Sequence, residues 1–251
     1  MKNKLLNFVV HGVLTLTLIF VACDKDDEEN KSGGVYEING HEAVDLGLPS
    51  GLLWATCNVG APSSENIGGY YAWGETETKQ AYWDGNYKHF VIVNSEDADK
   101  GVVGYGYTKY CHNRGQGYDG YTDKLTTLEA VDDAASVNWG GKWRMPTDTE
   151  WEELKNNTIR TWVRNYNNTE INGYLFASRN NKESIFIPAA GYRYGSYSSD
   201  TTCLYYWSST LGYAYSDNAH CFEIHSDYLH KEKGYDSREN GLPIRPVCPA
   251  E

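Results

Sequence analysis

Apolar residues occur along this chain mostly in short runs, separated by glycine, proline and polar residues. Runs of this length between turn-forming residues are typical of β-strands. The predicted strands are Val35–Ile38, Ala43–Leu46, Leu52–Thr56, Tyr70–Trp73, Tyr174–Ala177, Ser184–Ala189, Leu204–Ser208, Cys221–His225 and Pro243–Val247. Residues 82–123 show no clear period and predict a long irregular segment, which in a compact domain is usually functional or disordered.

Two segments have the spacing of an N-terminal capping box. In this motif a threonine side chain and a glutamate three residues later each accept a hydrogen bond from the other's backbone N–H. The two boxes begin at Thr126 and Thr147, and apolar residues follow each at helical spacing. We therefore predict helices near 127–137 and 148–157. Strands, two short helices and then further strands, joined by long loops, indicate an α+β domain.

The beginning of the sequence has a different pattern. Lys2 and Lys4 precede a mostly apolar run that ends at Cys23, and the small residue Ala22 stands just before this cysteine. The segment resembles a bacterial lipoprotein signal peptide, which predicts removal of residues 1–22 and acylation of Cys23 as the lipid anchor. An uncleaved membrane anchor is the alternative, because the run is nearly long enough to span a bilayer.

The rest of the chain divides into a tether and a domain. Residues 23–34 predict a flexible acidic tether, and residues 35–251 a single domain. The acidic string after Cys23 resembles the surface-export signal of Bacteroidetes lipoproteins. This resemblance implies that the protein is located in the outer membrane and faces the cell surface. A position that faces the periplasm is the alternative. The formal net charge of −12 repels phosphate, so we expect the membrane as a partner through the lipid anchor and no nucleic acid.

Five cysteines remain after Cys23, so at least one has no disulfide partner. Cys57 and Cys248 follow or end apolar strands near the two ends of the domain, and Cys203 and Cys221 flank a predicted hairpin. We therefore predict the disulfides Cys57–Cys248 and Cys203–Cys221, and leave Cys111 as the free thiol.

Five segments in a fixed order carry a resemblance to a known family. They are Val44–Ala55, Gly140–Trp151, Pro188–Arg193, Tyr206–Thr210 and Ile244–Val247. Together they resemble the Fibrobacter succinogenes major paralogous domain, a domain of Bacteroidetes lipoproteins. That family is similar in turn to the C-type-lectin-like fold of the formylglycine-generating, sulfatase-modifying enzymes. The resemblance implies a C-type-lectin-like domain whose first and last strands pair, which would bring Cys57 near Cys248.

Conspicuous residues within these segments have a structural interpretation as well as a functional one. We expect Trp143, Trp151 and Trp207 to belong to the core, and Arg144 and Arg245 to make internal hydrogen bonds or ion pairs. On this interpretation the motifs specify a fold, and a fold alone does not fix a function.

The sequence offers little support for catalysis. The related enzymes depend on a close pair of cysteines, and this chain has no short Cys-x-Cys spacing. Ser208 lacks a glycine-flanked nucleophile turn, and the histidines lack zinc-like spacing. We predict no catalytic residues, no metal site and no cofactor. Calcium stays open, because acidic loops place Asp119 with Asp123 and Asp217 with Asp227.

Aromatic residues favour recognition instead. The chain has 21 tyrosines and 8 tryptophans, and tyrosines are dense between residues 192 and 236. Tyrosine gives rigid amphipathic contacts, although the same rings also serve as core. The predicted ligand contacts are Tyr194, Tyr197, Tyr205, Tyr213, Tyr215 and Tyr228. We predict a non-catalytic domain that binds an extracellular glycan or protein. The alternatives are an enzyme related to the formylglycine-generating family and a structural or adhesin subunit of a surface assembly.

Overall fold

The computed structural model describes residues 34–95, 101–199, 201–225 and 234–250. Antiparallel sheets and two α-helices make up most of its regular structure, which confirms the predicted α+β class. The predicted leader 1–22, the anchor Cys23, most of the tether, Tyr228 and Asp227 lie outside the described residues. Within the described ranges, no helix has the length and apolar character that a membrane crossing requires.

The strands all pair in antiparallel fashion. In chain order they are β1 Val35–Ile38, β2 His41–Asp45, β3 Leu52–Ala55, β4 Phe90–Asn94, β5 Val102–Tyr107, β6 Thr158–Val163, β7 Gly173–Ser178, β8 Ser184–Pro188, β9 Arg193–Tyr194, β10 Tyr197–Ser198, β11 Cys203–Leu211, β12 Asn218–His225, β13 Gly234–Ser237 and β14 Val247–Pro249. They form a four-stranded sheet of order β1-β2-β3-β14, the three-stranded sheets β6-β7-β8 and β11-β12-β13, and the hairpins β4-β5 and β9-β10.

The four-stranded sheet joins the two ends of the domain. The last strand, β14, pairs with β3, so that Val247 lies opposite Trp54. The resemblance implied pairing of the first and last strands; the structure instead places β1 on the edge beside β2, and the last strand beside the third. The two ends of the domain therefore lie in one sheet, by a different pairing from the one expected.

The core is built on both sides of the strands. Successive residues of a strand point to opposite faces. In β3, Leu53 belongs to one buried cluster, whereas Leu52 and Trp54 belong to another. In β11, Trp207 and Tyr206 divide in the same way. These strands therefore read as continuous apolar runs because both of their faces are covered.

The predicted second helix is confirmed and the first is corrected. Helix α2 spans Asp148–Asn157, and the Thr147 side chain accepts from the Glu150 backbone N–H as the capping box predicts. Helix α1 spans only Ala134–Trp139, because Asp133 caps it by accepting from two backbone N–H groups of its first turn. Thr127 instead forms a β-bridge with Thr210, so the apparent capping box at Thr126 begins no helix.

The tryptophans and arginines of the motifs lie where the structural interpretation put them. The side chains of Trp143, Trp151 and Trp207 are buried. Arg144 forms an ion pair with Glu150 at 2.6 Å. Arg245 is fully buried and donates to four oxygens, an arrangement that ties β3 to β8. These segments specify the fold, as expected.

Two predicted strands are largely absent, and other observed strands were not predicted. Tyr70–Trp73 contributes one bridge, from Tyr71 to Leu242, because a turn begins at Trp73. The predicted strand at Pro243–Val247 begins only at Val247, since its earlier residues serve as a connection. The segment 82–123, predicted to be irregular, contains the β4-β5 hairpin. The strand β6 was not predicted, because its apolar residues follow a helix without a turn signal.

Neither predicted disulfide is formed. The sheet registers place Cys248 opposite Leu53, four residues from Cys57, and Cys203 opposite His225, four residues from Cys221. Four strand residues span about 13 Å, whereas a disulfide needs its two Cα atoms within about 7 Å. Position at the end of a strand was therefore a poor guide to pairing, because register decides which residues face each other.

Candidate binding groove

The β4-β5 hairpin has one apolar face that is open to solvent. Its register pairs Ile92 with Tyr105 and Phe90 with Tyr107, so these four side chains share a face. Towards the base of the hairpin, Tyr107 is buried in a small core cluster. Towards the tip, Tyr105 is 70% exposed. The centroids of the Tyr105 and Phe90 rings are 6.2 Å apart. The face thus runs from core to solvent.

The opposite face of the hairpin is packed against the chain. There Val91 pairs with Gly106, and Gly106 lies directly under the backbone of Tyr118. A Cβ atom on Gly106 would approach the Tyr118 nitrogen to 2.4 Å, closer than real contacts allow. The sequence therefore uses glycine to let the two backbones touch. This close packing fixes which face of the hairpin remains open.

A groove of about 320 Å³ lies on the open face. We call it the hairpin groove, and its lining residues are Asp84, Phe90, Ile92, Val102 and Tyr105. Asp84 places a carboxylate at an otherwise apolar and aromatic wall. The preceding residue, Trp83, is half exposed. Apolar walls with a few placed polar groups are the usual make-up of a small-molecule site.

A buried arginine fixes the base of the hairpin. The Arg238 guanidinium carbon lies 4.6 Å from the Tyr107 ring centroid and 5.0 Å from that of Trp73. Its Nε–H donates to the Tyr87 hydroxyl at 3.0 Å, and one Nη donates to the Ser216 carbonyl at 2.8 Å. Burial raises the pKa of Tyr87, although the neighbouring guanidinium offsets part of this rise. The groove therefore stands on a rigid support.

A second polar cluster ties the hairpin to the segment before α1. The Asp132 carboxylate accepts from Lys88 and Lys109 at 2.6 Å each and from the Tyr110 hydroxyl at 2.8 Å. Burial alone would raise the pKa of Asp132, but these hydrogen bonds outweigh it and lower the pKa to about 2. Burial lowers the pKa of the neighbouring His89 to about 4. At neutral pH the cluster holds a carboxylate, two ammonium groups and a neutral imidazole.

Two of the predicted ligand contacts lie on the β9-β10 hairpin, beside the segment that carries Trp83. Tyr194 and Tyr197 form a cross-strand pair, and both are exposed. The bridge between Tyr82 and Gly195 joins this hairpin to the chain just before Trp83, with the Tyr82 N–H 2.9 Å from the Gly195 carbonyl. The structure therefore brings three exposed rings to the same region of the surface.

Two further predicted contacts lie elsewhere. Tyr213 and Tyr215 are exposed in the loop after β11. The Tyr213 ring lies 4.4 Å from that of His220, and its hydroxyl donates to Asp148 at 2.7 Å. The β9-β10 hairpin adjoins the start of β11, whereas this loop follows the end of β11. The nine residues of β11 span about 30 Å. The exposed tyrosines therefore do not form a single surface.

The remaining tyrosine predictions need correction or lie out of view. Tyr205 is only partly exposed and packs against the core. Its ring stands edge-on to Tyr192 at 5.2 Å, and its hydroxyl donates to Glu223 at 3.0 Å. Its ring is therefore not an open ligand-binding surface, because its position on β11 directs it towards Tyr192 and Glu223. Tyr228 lies outside the described residues.

The acidic loops contain no cluster of cation ligands in the described part of the chain. The Asp123 carboxylate accepts from the backbone N–H groups of Tyr110 and Cys111 and from the Tyr121 hydroxyl. These contacts give Asp123 a structural task in holding its own loop. Asp227, the expected companion of Asp217, lies outside the described residues.

A second cleft of about 370 Å³ lies beside Cys57 and has a mixed lining that includes three serines, with Tyr166 over Phe186. These two rings stack at 3.8 Å, so Tyr166 covers Phe186, which is buried. The hairpin groove is the stronger candidate for ligand binding, because it presents open aromatic surface.

Sequence reasoning missed the residues that line the hairpin groove. A signal was present in the continuous apolar run from Phe90 to Val93 and in the aromatic residues Tyr105 and Tyr107. The abundant glycine, asparagine and tyrosine around these runs masked it. In comparison with known proteins, the chain matches no family model, no curated protein and no solved structure.

Proposed function

We propose that this chain is a surface-anchored lipoprotein whose domain binds a neutral glycan in the hairpin groove without converting it. We include in it the resemblance of this chain to the Fibrobacter succinogenes major paralogous domain, which implies a C-type-lectin-like fold. The observation that carries it is the open aromatic and apolar face of the β4-β5 hairpin, with Asp84 at its side.

The chemistry of the groove favours a sugar. Aromatic rings bury the C–H face of a pyranose, and a carboxylate accepts hydrogen bonds from its hydroxyl groups. Tyr105 and Phe90 supply the rings and Asp84 supplies the acceptor. The net charge of −12 repels anionic ligands, so a neutral glycan suits the domain better than a sulfated or uronic one.

Neighbouring rings extend this surface. Trp83 precedes Asp84, and Tyr194 and Tyr197 lie on the hairpin that is bridged to Tyr82. Each of these rings is at least half exposed. Several exposed rings in one region of the surface suit an extended oligosaccharide rather than a single sugar.

The groove is tested with the full chain, solubilised in detergent, on an array of neutral and anionic glycans. Titration calorimetry then measures the affinity for the best neutral ligand. Truncation of Tyr105 to alanine should weaken binding by at least about fivefold, because a central aromatic contact carries more than about 1 kcal/mol. Asp84→Asn should weaken it as well. Tyr36→Ala, at an exposed tyrosine of β1 in another sheet, is the matched control and should bind normally.

The outcomes separate the groove from its rivals. A neutral glycan that binds the wild type and the Tyr36 variant, but not the Tyr105 variant, supports the proposal. Absence of binding across the whole array contradicts it. So does selective binding of a cell-surface protein by the chain. Loss of binding in Tyr215→Ala with full binding in Tyr105→Ala would move the site to the loop after β11.

The anchor is tested separately, by growth with a radiolabelled fatty acid. The wild type should incorporate label and Cys23→Ala should not, because the thiol at the end of the apolar run is the predicted acylation point. Protease treatment of intact cells then distinguishes the outer from the periplasmic face. Label in the alanine variant would contradict acylation at this residue.

A further inference from the structure

A group of polar side chains that line no part of the hairpin groove occupies one face of the β11-β12 ladder. The register places Cys203 opposite His225, and Tyr205 opposite Glu223. Because alternate residues of a strand share a face, all four side chains project on the same side. Further along this face Trp207 and Cys221 are buried, so the group lies where the face emerges from the core.

The four side chains are linked by hydrogen bonds. The Cys203 Sγ atom lies 3.1 Å from His225 Nδ1. His225 Nε2 lies 2.5 Å from Glu223 Oε1. The Tyr205 hydroxyl donates to the same carboxylate oxygen at 3.0 Å. A thiol, an imidazole and a carboxylate thus stand in line, with a phenol bracing the carboxylate.

The carboxylate sets the tautomer of the imidazole. An ionised carboxylate only accepts hydrogen bonds, so the nitrogen facing Glu223 carries the hydrogen. In the neutral ring the other nitrogen, Nδ1, is then the acceptor. Since Nδ1 faces Cys203, the thiol is the donor in that contact, and His225 is placed to take its proton. Glu223 then stabilises the resulting imidazolium, as the third member does in nucleophilic triads.

Glu223 is held in place and the thiol stays within reach of solvent. The Glu223 side chain is 5% exposed, that of His225 is 30% exposed, and Cys203 is partly exposed. Gly234 of β13 lies against Glu223, where a Cβ atom would stand 2.4 Å from the carboxylate. The base is therefore oriented from below while a small reactant can approach the sulfur from outside.

We propose that Cys203 is a nucleophilic thiol site that reacts with hydroperoxides. His225 first takes the thiol proton on Nδ1, which leaves a thiolate, the reactive form of cysteine. The sulfur attacks one peroxide oxygen, an S–O bond forms and the O–O bond breaks. The leaving oxygen takes the proton from His225 Nδ1 and departs as an alcohol, or as water from hydrogen peroxide. Sulfur loses two electrons to the peroxide, and the product is a sulfenic acid.

Hydroperoxides suit this site better than larger electrophiles. The reaction needs a thiolate and a proton donor beside the leaving oxygen, and His225 provides for both at 3.1 Å from the sulfur. The partly exposed positions of Cys203 and His225 also suit a small reactant that needs little binding surface.

The chain contains its own control thiol. Cys57 is also partly exposed, but its sulfur contacts the Thr56 hydroxyl at 3.6 Å rather than an imidazole. The full chain is treated with a low concentration of hydrogen peroxide in the presence of dimedone, which traps sulfenic acid. Mass spectrometry of the peptides then gives the labelling rate at each cysteine.

We expect Cys203 to be labelled at least about tenfold faster than Cys57, since a positioned base contributes a hundredfold or more. His225→Asn should lower the rate at Cys203 by a similar factor and leave Cys57 unchanged. Comparable rates at the two cysteines in the wild type would overturn the proposal without any variant. So would a His225→Asn protein with a normal melting temperature and a normal Cys203 rate. If that variant fails to fold, two other measurements decide. They are the ratio of the Cys203 and Cys57 labelling rates in the wild type, and the Cys203 rate in Tyr205→Phe, which keeps the ring.

Discussion

Replacement of Arg245 by lysine tests whether a buried guanidinium holds the middle of this domain together. Arg245 is fully buried and donates to the Asn58 side chain at 2.8 Å and to the carbonyls of Ala55 at 3.0 Å, Thr56 at 2.5 Å and Phe186 at 3.1 Å. These acceptors surround three separate nitrogens of a planar group. Lysine keeps the charge but offers a single nitrogen, which can reach about two of them.

The cost follows from the two bonds that are lost. A hydrogen bond to a charged group contributes about 1.5–3 kcal/mol, so Arg245→Lys should lower the free energy of unfolding by about 3–6 kcal/mol. This is a large part of the 5–15 kcal/mol typical of a domain. In urea, where the slope is about 1–3 kcal/mol per molar, the midpoint should fall by about 2 M.

The assay is urea unfolding followed by tryptophan fluorescence, because several tryptophans are buried. Arg164→Lys serves as the control, since Arg164 is exposed and the exchange should change stability by less than about 0.5 kcal/mol. If Arg245→Lys unfolds at the wild-type urea concentration, the four hydrogen bonds do not stabilise the fold as argued.

Four further predictions concern the cap, the pH response of two groups, and the groove. Thr147→Ala removes the α2 cap and should cost about 1 kcal/mol, or about 2–4 °C in thermal melting, whereas the same change at the exposed Thr149 should cost little; equal effects would contradict the cap. The pKa of Asp132 is lowered to about 2, so its stabilising effect is complete above about pH 4 and is lost as the pH falls towards 2. Asp132→Asn should therefore make the urea midpoint less dependent on pH over this window. An unchanged pH dependence of the midpoint would refute this. Burial lowers the pKa of His89 to about 4, so stability should also fall as pH drops from 6.5 to 4, and His89→Gln should reduce that fall; a variant with the wild-type profile would argue against it. Gly106→Ala should move the β4-β5 hairpin and weaken glycan binding, as its Cβ atom would lie 2.4 Å from a backbone nitrogen; an undisturbed affinity would exclude this route.

Local sequence signals predicted the elements that depend on local contacts. The capping box at Thr147 gave α2 with its observed bounds, because the box satisfies backbone groups within one turn. The same motif at Thr126 failed, since the chain there pairs with β11 and Asp133 caps the helix instead. A capping box shows where a helix can begin, and tertiary pairing decides whether it does.

Long-range register was the part that the sequence could not supply. One predicted disulfide joined two strand ends and the other joined cysteines that flank a predicted hairpin, but the registers set each pair four residues apart. The same registers created the alignment of Cys203 with His225, whose sequence separation of 22 residues gives no recognisable motif. The hairpin groove was hidden for a related reason, because a two-stranded ribbon within a glycine-rich segment has little periodicity to detect.

The pairing of β14 with β3 has a consequence for how the chain reaches its native state. Trp54 finds its partner Val247 about 190 residues later, so one side of β3 stays uncovered until those residues have been made. Such distant closure slows folding and leaves an unpaired strand available for wrong association in the meantime. Clipping the final few residues should therefore impair assembly of the entire domain far more than their number suggests.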